Sequence, residues 1–291
     1  MSELVAMLDR LATAVGEPLA MLRLVTVLAS LASLVASLEL LAARRMFRDD
    51  GALAWHVQKQ RFRELSRIGF PATYPAVLVL PLTRLVAVVA LLAVLSSAEL
   101  PASAWPLGPL SLVIATSCAL TIARQPQASG ADSMELIVWF GLTFAWMQSS
   151  NPLVVQGALW FVALQSVLSY CSNGWHKAFV KSWRSGQVFP LFARHSLFGH
   201  PFLAGLADRG VRLRYVMSAV IVLETAFPLV LLTGMPGCLL LVGWAATFHL
   251  LNGVFMGLNA FIFTYFATYP AIFFCSAQVQ TWFEGWLVGR A

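Results

Sequence analysis

Charge is the first thing this sequence lacks. Of its 291 residues only 11% are Asp, Glu, Lys or Arg, against roughly a quarter in a soluble globular domain. Hydrophobic residues make up 59% and mean hydropathy is +0.77. A chain so poor in charge, with apolar runs of about 20 residues, excludes a soluble globular domain and reads as a multi-span membrane protein. Cysteine is sparse too. Cys118, Cys171, Cys238 and Cys275 each stand alone in apolar sequence, with no CxxC pair. That excludes a thiol–disulfide enzyme and a cysteine metal site, and leaves buried free thiols. There is no HExxH and no paired acidic ligand set, so no zinc site is expected. Haem would need a second helical histidine at the depth of His249, and His56, His176, His195 and His200 all fall in interfacial stretches. No metal and no haem are therefore expected.

A cleavable signal is also missing. "MSELVAMLDRLATAVGE" has neither a basic n-region nor a short apolar core ending in a small-residue cleavage site. Residues 1–19 instead read as an N-terminal interfacial amphipathic segment. No internal repeat of the transporter kind is visible.

What charge there is lies in two blocks. Of 19 Lys and Arg, seven fall between Arg44 and Arg67 and seven between Lys177 and Arg214. No stacking module or basic helix array accompanies them, which excludes nucleic acid as a partner and leaves the lipid bilayer and its headgroups. The expected fold is all-α: a polytopic transmembrane helix bundle with seven or eight spans and interfacial amphipathic helices. The spans are placed at 20–43, 74–97, 107–123, 133–149, 153–173, 215–233, 237–256 and 259–276. They form one transmembrane domain, 20–276, followed by a tail, 277–291. Gly257 and Leu258 make the last pair either two helices or one broken helix. The two basic blocks are four spans apart and so share a side. The loops opposite, near 98–106, 150–152 and 234–236, carry no Lys or Arg. The positive-inside rule places the basic side in the cytoplasm.

An ionisable residue inside a span costs about 2.5–3.5 kcal/mol on insertion scales, so each one needs a reason. Glu39, Arg84, Asp132, Glu135, Glu224 and His249 are the candidates, with Arg84 and Glu224 deepest. They either mark a functional pocket or pair with each other or with backbone carbonyls to fix packing. The fifth span carries two polar stripes at helical spacing. One is Gln165, Ser169, Ser172 and His176; the other is Ser166, Tyr170, Asn173 and Lys177. Such a face avoids lipid, and it lines either an interhelical hydrogen-bond seam or a wet cavity. A further stripe of His249, Asn252, Met256 and Asn259 forms if the helix runs past Gly257. Lys177 stands beside Trp175, Phe179 and Trp183. Desolvation there would turn its amine into a usable base. Equally, it would snorkel to the headgroups with the tryptophans as an aromatic belt.

The run "ALQSVLSYCSNGWHKAFVKSWRSGQV" resembles the membrane domain of the vitamin K-dependent gamma-carboxylases and the related bacterial HTTM proteins. In that family a span with Gln and Tyr ends in Gly-x-x-Lys, followed by Trp and Gly, as Gly174, Lys177, Trp183 and Gly186 stand here. "GADSMELIVWFGLTFAW" is similar to the family's Gly-Asp segment opening a span, and "LETAFPLVLL" to its Glu-x-x-x-Pro span. "TFHLLNGVFMGLNAFIFTYFATYPAIFF" is similar to its histidine-bearing helix and final span. Together these cover roughly 130–276.

The resemblance implies a mechanism. A lysine matching Lys177 deprotonates reduced quinone, a vitamin K-type hydroquinone. Oxygen then yields a strong base, a peptide glutamate loses a proton, and carbon dioxide captures the carbanion. Lys177 is then the catalytic base, and His249 matches the family's helix histidine. Trp175, His176, Tyr170, Asn173, Trp183, Asn252, Glu224 and Arg84 are read from the stripes and the spans as pocket residues. The resemblance also implies a bacterial inner-membrane location and a peptide substrate or partner membrane protein. The family lysine faces the lumen, topologically the outside, whereas the charge rule puts Lys177 in the cytoplasm. The carboxylases' large lumenal domain has no counterpart in these residues. Two other function classes stay open: a non-catalytic maturation or immunity factor for a secreted peptide, and a small-solute transporter.

Overall fold

A computed structural model of the protein describes residues 15–61, 73–96, 106–124, 129–196, 199–208 and 213–288. The interfacial readings for residues 1–14 and 62–67 lie outside the described residues. Among the described residues the secondary structure is helical, with no strand. The long helices are α1 (Pro18–Ala42), α2 (Val79–Ser96, entered through a 3-10 turn from Ala76), α3 (Leu107–Arg124) and α4 (Gly130–Met147). After them come α5 (Pro152–Phe179), α6 (Leu213–Thr225), α7 (Gly234–Met256) and α8 (Asn259–Val288). Short helices Lys181–Arg184, Val188–Ala193 and Pro201–Asp208 lie between α5 and α6.

Six of the described helices, α1, α2, α3, α5, α7 and α8, are long and apolar enough to cross a membrane. The sequence reading of seven or eight spans counted two segments more. One is α4, whose first turns carry Asp132 and Glu135. The other is α6, of which 13 residues are described. At 1.5 Å per residue α6 covers about 20 Å, short of the ~30 Å hydrocarbon layer. Pro228 is the reason it stops: it has no N–H to return to the Glu224 carbonyl, and the chain tightens into a 3-10 turn over Phe227–Leu231.

Three boundaries differ from the sequence reading. Helix α5 continues past 173 to Phe179, because nothing in "SNGWHKAF" breaks it before the extended backbone of Val180. Helix α8 continues through 277–288, so most of the expected tail is helix. At Gly257 the chain turns left-handed, φ +68°, ending α7; α8 restarts two residues later. Glycine takes that conformation without a Cβ clash. The stripe from His249 to Asn259 therefore does not run along one helix.

The chain divides into two compact units, Pro18–Ala158 and Leu159–Ala291, the latter together with Met1–Glu17. In the first unit, α1 to α4 pack as successive neighbours. Gly108 of α3 lies where any Cβ would meet the Met147 backbone and side chain at 2.8–3.2 Å, so the two helices approach backbone to backbone. One seam in this unit was not read from the sequence. Thr26, Ser30, Ser33 and Ser37 recur at helical spacing along α1 and are fully buried. Trp146 Nε1 donates to Thr26 Oγ1 at 2.9 Å and Trp139 Nε1 to Ser33 Oγ at 2.8 Å. Each indole N–H, costly to bury alone, is thereby satisfied.

Arg84 sits in this seam. Its Nε donates to Ser37 Oγ at 2.9 Å, its Nη1 to Cys118 Sγ at 3.3 Å, and Nη1 lies 3.6 Å from Glu135 Oε1. Ser33 Oγ also donates to Glu135. Arg84 thus pairs with Glu135, another of the ionisable span residues, while Glu224 takes a different partner, given below. Asp132 has a local task as well. It closes a capping box with Ser129, accepting from the Ser129 N–H at 2.6 Å while Ser129 Oγ accepts from the Asp132 N–H at 3.2 Å.

Candidate functional site

The second unit holds the polar groups that the fifth-span stripes promised. Helices α5 and α8 meet along a hydrogen-bonded seam. Trp160 Nε1 donates to Gln278 Oε1 at 2.8 Å, Ser166 Oγ lies 2.9 Å from Thr268 Oγ1, and Ser169 Oγ lies 2.7 Å from Tyr265 Oη. The residue numbers rise on α5 as they fall on α8, as antiparallel neighbours require. At the next residue the seam takes in α7. Tyr170 Oη lies 2.7 Å from His249 Nε2 and 3.1 Å from Tyr269 Oη. The His249 ring stacks on Tyr265, centroids 4.4 Å apart and planes 18° apart. Phe227, at the Pro228 break, closes on the Tyr170 ring at 4.0 Å.

At the C-terminal end of α5 stands Lys177. Its Nζ donates to both oxygens of Glu224, each at 2.6 Å. Glu224 is 3% exposed and Lys177 14%, so the carboxylate is buried and the lysine side chain is the less buried partner. Trp183 lies 4.9 Å from Nζ and Phe248 5.7 Å. Both rings present π-faces to the cation. Phe248 also touches the His249 ring, centroids 5.5 Å apart. The ion pair and the histidine network therefore share one aromatic wall.

Gly174 makes the pair possible. A Cβ there would fall 2.4 Å from the Thr225 amide nitrogen and 2.8 Å from the Glu224 carbonyl carbon. Backbone cannot yield as a flexible side chain can. The absence of a side chain at 174 is what lets α5 come close enough to α6 for Lys177 to reach Glu224 with both bonds.

The ten residues read as site residues are thus sorted. Lys177, Glu224, Tyr170, His249 and Trp183 come together. Trp175 and His176 are exposed, with Trp175 stacked on Phe179 at 5.6 Å. Asn173 is exposed and donates to the carbonyl of Ser169 on its own helix at 2.9 Å. Asn252 is half-buried, and its backbone carbonyl accepts from Leu258 at the end of α7. Arg84 lies in the first unit, with the partners given above. Trp175, His176 and Asn173, read as pocket residues, are exposed and do not join this cluster. At 100° per residue, Tyr170, Gly174 and Lys177 share the inner face, Trp175 and His176 sit about 100° from the nearest of them, and Asn173, about 40° from Lys177, is exposed at the edge of that face. Tyr265, Tyr269, Gly174, Ser166 and Thr268 were not singled out as site residues. "TYFATY" does carry the signal for two of them, tyrosines one helical turn apart in an apolar helix.

Two polar atoms of this cluster have no partner among the described residues: His249 Nδ1 and Thr225 Oγ1, both fully buried. Leaving such a group unsatisfied costs about 1–3 kcal/mol. With Tyr170 on Nε2, a neutral His249 presents at Nδ1 either a bare lone pair or an N–H without an acceptor. Either state is completed by one oxygen of a ligand. Among the described residues no group of three or more His, Cys, Asp or Glu could hold a metal ion. No protein-family model, curated protein or solved structure matches the chain.

Proposed function

We propose that this chain is a multi-pass membrane enzyme that removes a proton from an acidic hydroxyl of an apolar substrate. Lys177 is the base and Glu224 the residue that governs its proton. This is the activity implied by the resemblance to the gamma-carboxylase membrane domain, with reduced quinone as the hydroxyl donor and a peptide as the final acceptor. The observation that carries it is the Lys177–Glu224 pair, its carboxylate buried and its lysine the less buried partner.

The shared proton sits on Nζ as an ion pair or on the carboxyl as a neutral pair. In a medium of low dielectric the charged form loses its advantage. When Glu224 holds the proton, Lys177 is a free amine, able to take a hydroxyl proton. The orphaned His249 Nδ1 fits a second oxygen of a flat ligand, and the aromatic wall of Phe248 and Trp183 fits its ring. Reduced quinone, once bound, would supply with oxygen the strong base that the peptide reaction needs.

The decisive assay uses purified protein in nanodiscs with reduced quinone, oxygen, bicarbonate and candidate peptides. Wild type is expected to oxidise quinol, and Lys177→Met to lose at least about 100-fold in rate. Exposed Trp175→Ala keeps most of its activity. If wild type oxidises no quinol and changes no peptide mass, the proposal fails.

One observation favours a second reading, a non-catalytic maturation or immunity factor. Both oxygens of Glu224 hold Lys177, as they would in a clamp between α5 and α6. A Lys177→Met/Glu224→Leu double variant that folds and keeps full biological function would establish the clamp and sink the enzyme. The side of the membrane is open to direct measurement. Ser172 is exposed on α5. In a background with Cys171 replaced, Ser172→Cys is expected to react with an impermeant maleimide only from the cytoplasmic side, as the charge asymmetry requires. Labelling from outside would reverse the orientation.

A further inference from the structure

The Tyr170 hydroxyl joins two other polar groups inside the second unit. It lies 2.7 Å from His249 Nε2 and 3.1 Å from Tyr269 Oη, and all three residues are buried. One hydroxyl has one proton and cannot donate to both neighbours. The protons of the neutral cluster can be placed in two ways, and the two do not cost the same.

In the first, Tyr269 donates to Tyr170 and Tyr170 donates to His249 Nε2. The imidazole then carries its own proton on Nδ1, the atom with no partner among the described residues. In the second, His249 Nε2–H donates to Tyr170 and Tyr170 donates to Tyr269. The Tyr269 proton is then left without an acceptor among the described residues, and Nδ1 is a bare lone pair. The first arrangement strands one buried polar group and the second strands two. One stranded group more biases the equilibrium by about fivefold or more, so the first arrangement wins. Stacking on Tyr265, centroids 4.4 Å apart, holds the plane in which the Nδ1 proton points.

We infer, resting on the function proposed above, that Tyr170 is a positioning residue: by donating to Nε2 it holds His249 as the Nδ1–H tautomer, and His249 serves the site as a hydrogen-bond donor to an acceptor oxygen of the ligand. The two polar groups then divide the work. Lys177 takes the proton of one hydroxyl, and His249 bonds the second oxygen of the ring, whether carbonyl, ether or phenolate. His249 held this way takes no proton from substrate, because its lone pair is already used by Tyr170.

Nitrogen-15 NMR of the histidine-labelled full chain in nanodiscs reads the tautomer, since protonated and bare ring nitrogens resonate far apart. The His249 signals are assigned by their absence from His249→Gln. Wild type is expected to carry the proton on Nδ1. Tyr170→Phe removes the donor and moves the proton to Nε2, the nitrogen a free imidazole prefers. Tyr269→Phe leaves it on Nδ1, because Tyr170 still donates. A wild-type proton on Nε2 overturns the assignment. So does an unmoved proton in Tyr170→Phe, or a move to Nε2 in Tyr269→Phe. If Tyr170→Phe does not fold, wild type and Tyr269→Phe decide.

Binding of a naphthol and of its para-hydroxy and para-methoxy derivatives tests the donor role. An Nδ1–H serves a methoxy oxygen as well as a hydroxyl. Both derivatives should therefore bind at least about fivefold more tightly than the parent naphthol. A tighter para-hydroxy compound beside a para-methoxy compound no better than the parent would show a lone pair at Nδ1 and overturn the donor. If none of the three binds, the ligand and the proposed function fall together, and the tautomer is decided by the NMR spectrum alone.

Discussion

Arg84→Met is expected to destabilise the first unit by about 3–5 kcal/mol, read as a lowered unfolding midpoint in detergent. Arg84 and Glu135 are both buried, and they meet in the seam of α1, α2, α3 and α4. Removing the guanidinium leaves a buried carboxylate without its cation, though the Ser33 hydroxyl still donates to it. It also strips Ser37 Oγ of its 2.9 Å donor. Arg84→Met/Glu135→Leu should recover most of the loss, because two apolar groups of similar volume owe nothing to a missing partner. A double variant as unstable as the single would mean that Arg84 acts through packing of its stem and the pair carries little.

Gly174→Val is expected to disable the candidate site without touching any charged residue. Its Cβ alone would stand 2.4 Å from the Thr225 nitrogen, inside any real contact. Helices α5 and α6 must part, at a cost of about 1–3 kcal/mol in strain. The 2.6 Å contacts of Lys177 to Glu224 lengthen with them. A double-mutant cycle between positions 177 and 224 measures this directly. In wild type the coupling should be clear, and in the Gly174→Val background it should fall to near zero. Coupling that survives the valine would show that the ion pair is held from elsewhere, with Gly174 a bystander. On the proposed function, quinol oxidation should fall with the coupling; on the clamp reading, only stability falls.

Much of the candidate site could be read along the chain. Lys177, Tyr170 and His249 stood out because an ionisable or hydroxyl group in an apolar helix is rare and repeats at helical spacing when it faces a protein neighbour. The same rule picked out Glu224 and Arg84 as deep charges. It did not reveal which of them would meet. The α1 seam of Thr26, Ser30, Ser33 and Ser37 was passed over because serine and threonine cost little in a span and bond to their own helix. Thr26 and Ser30 do so at 2.7 Å each. Trp175 and His176 were read into the pocket from the polar stripes, and both are exposed. One residue is 100° of helix, enough to turn a side chain from the interior to the outside.

Composition and pattern alone determined that the chain is helical, apolar and suited to a bilayer. They also determined where its charge is confined and which helix bears the inward polar face. Those properties are local: they follow from run length, spacing and the cost of burying charge, whatever the rest of the chain does. Tertiary structure decided the pairing. Arg84 took Glu135 and left Glu224 to Lys177, because partners depend on which helices share a unit. It decided too that Gly174, a residue with no chemistry of its own, sets the distance on which the ion pair depends. Side-chain reach is a few ångströms, and only the packing of one backbone on another places two groups within it.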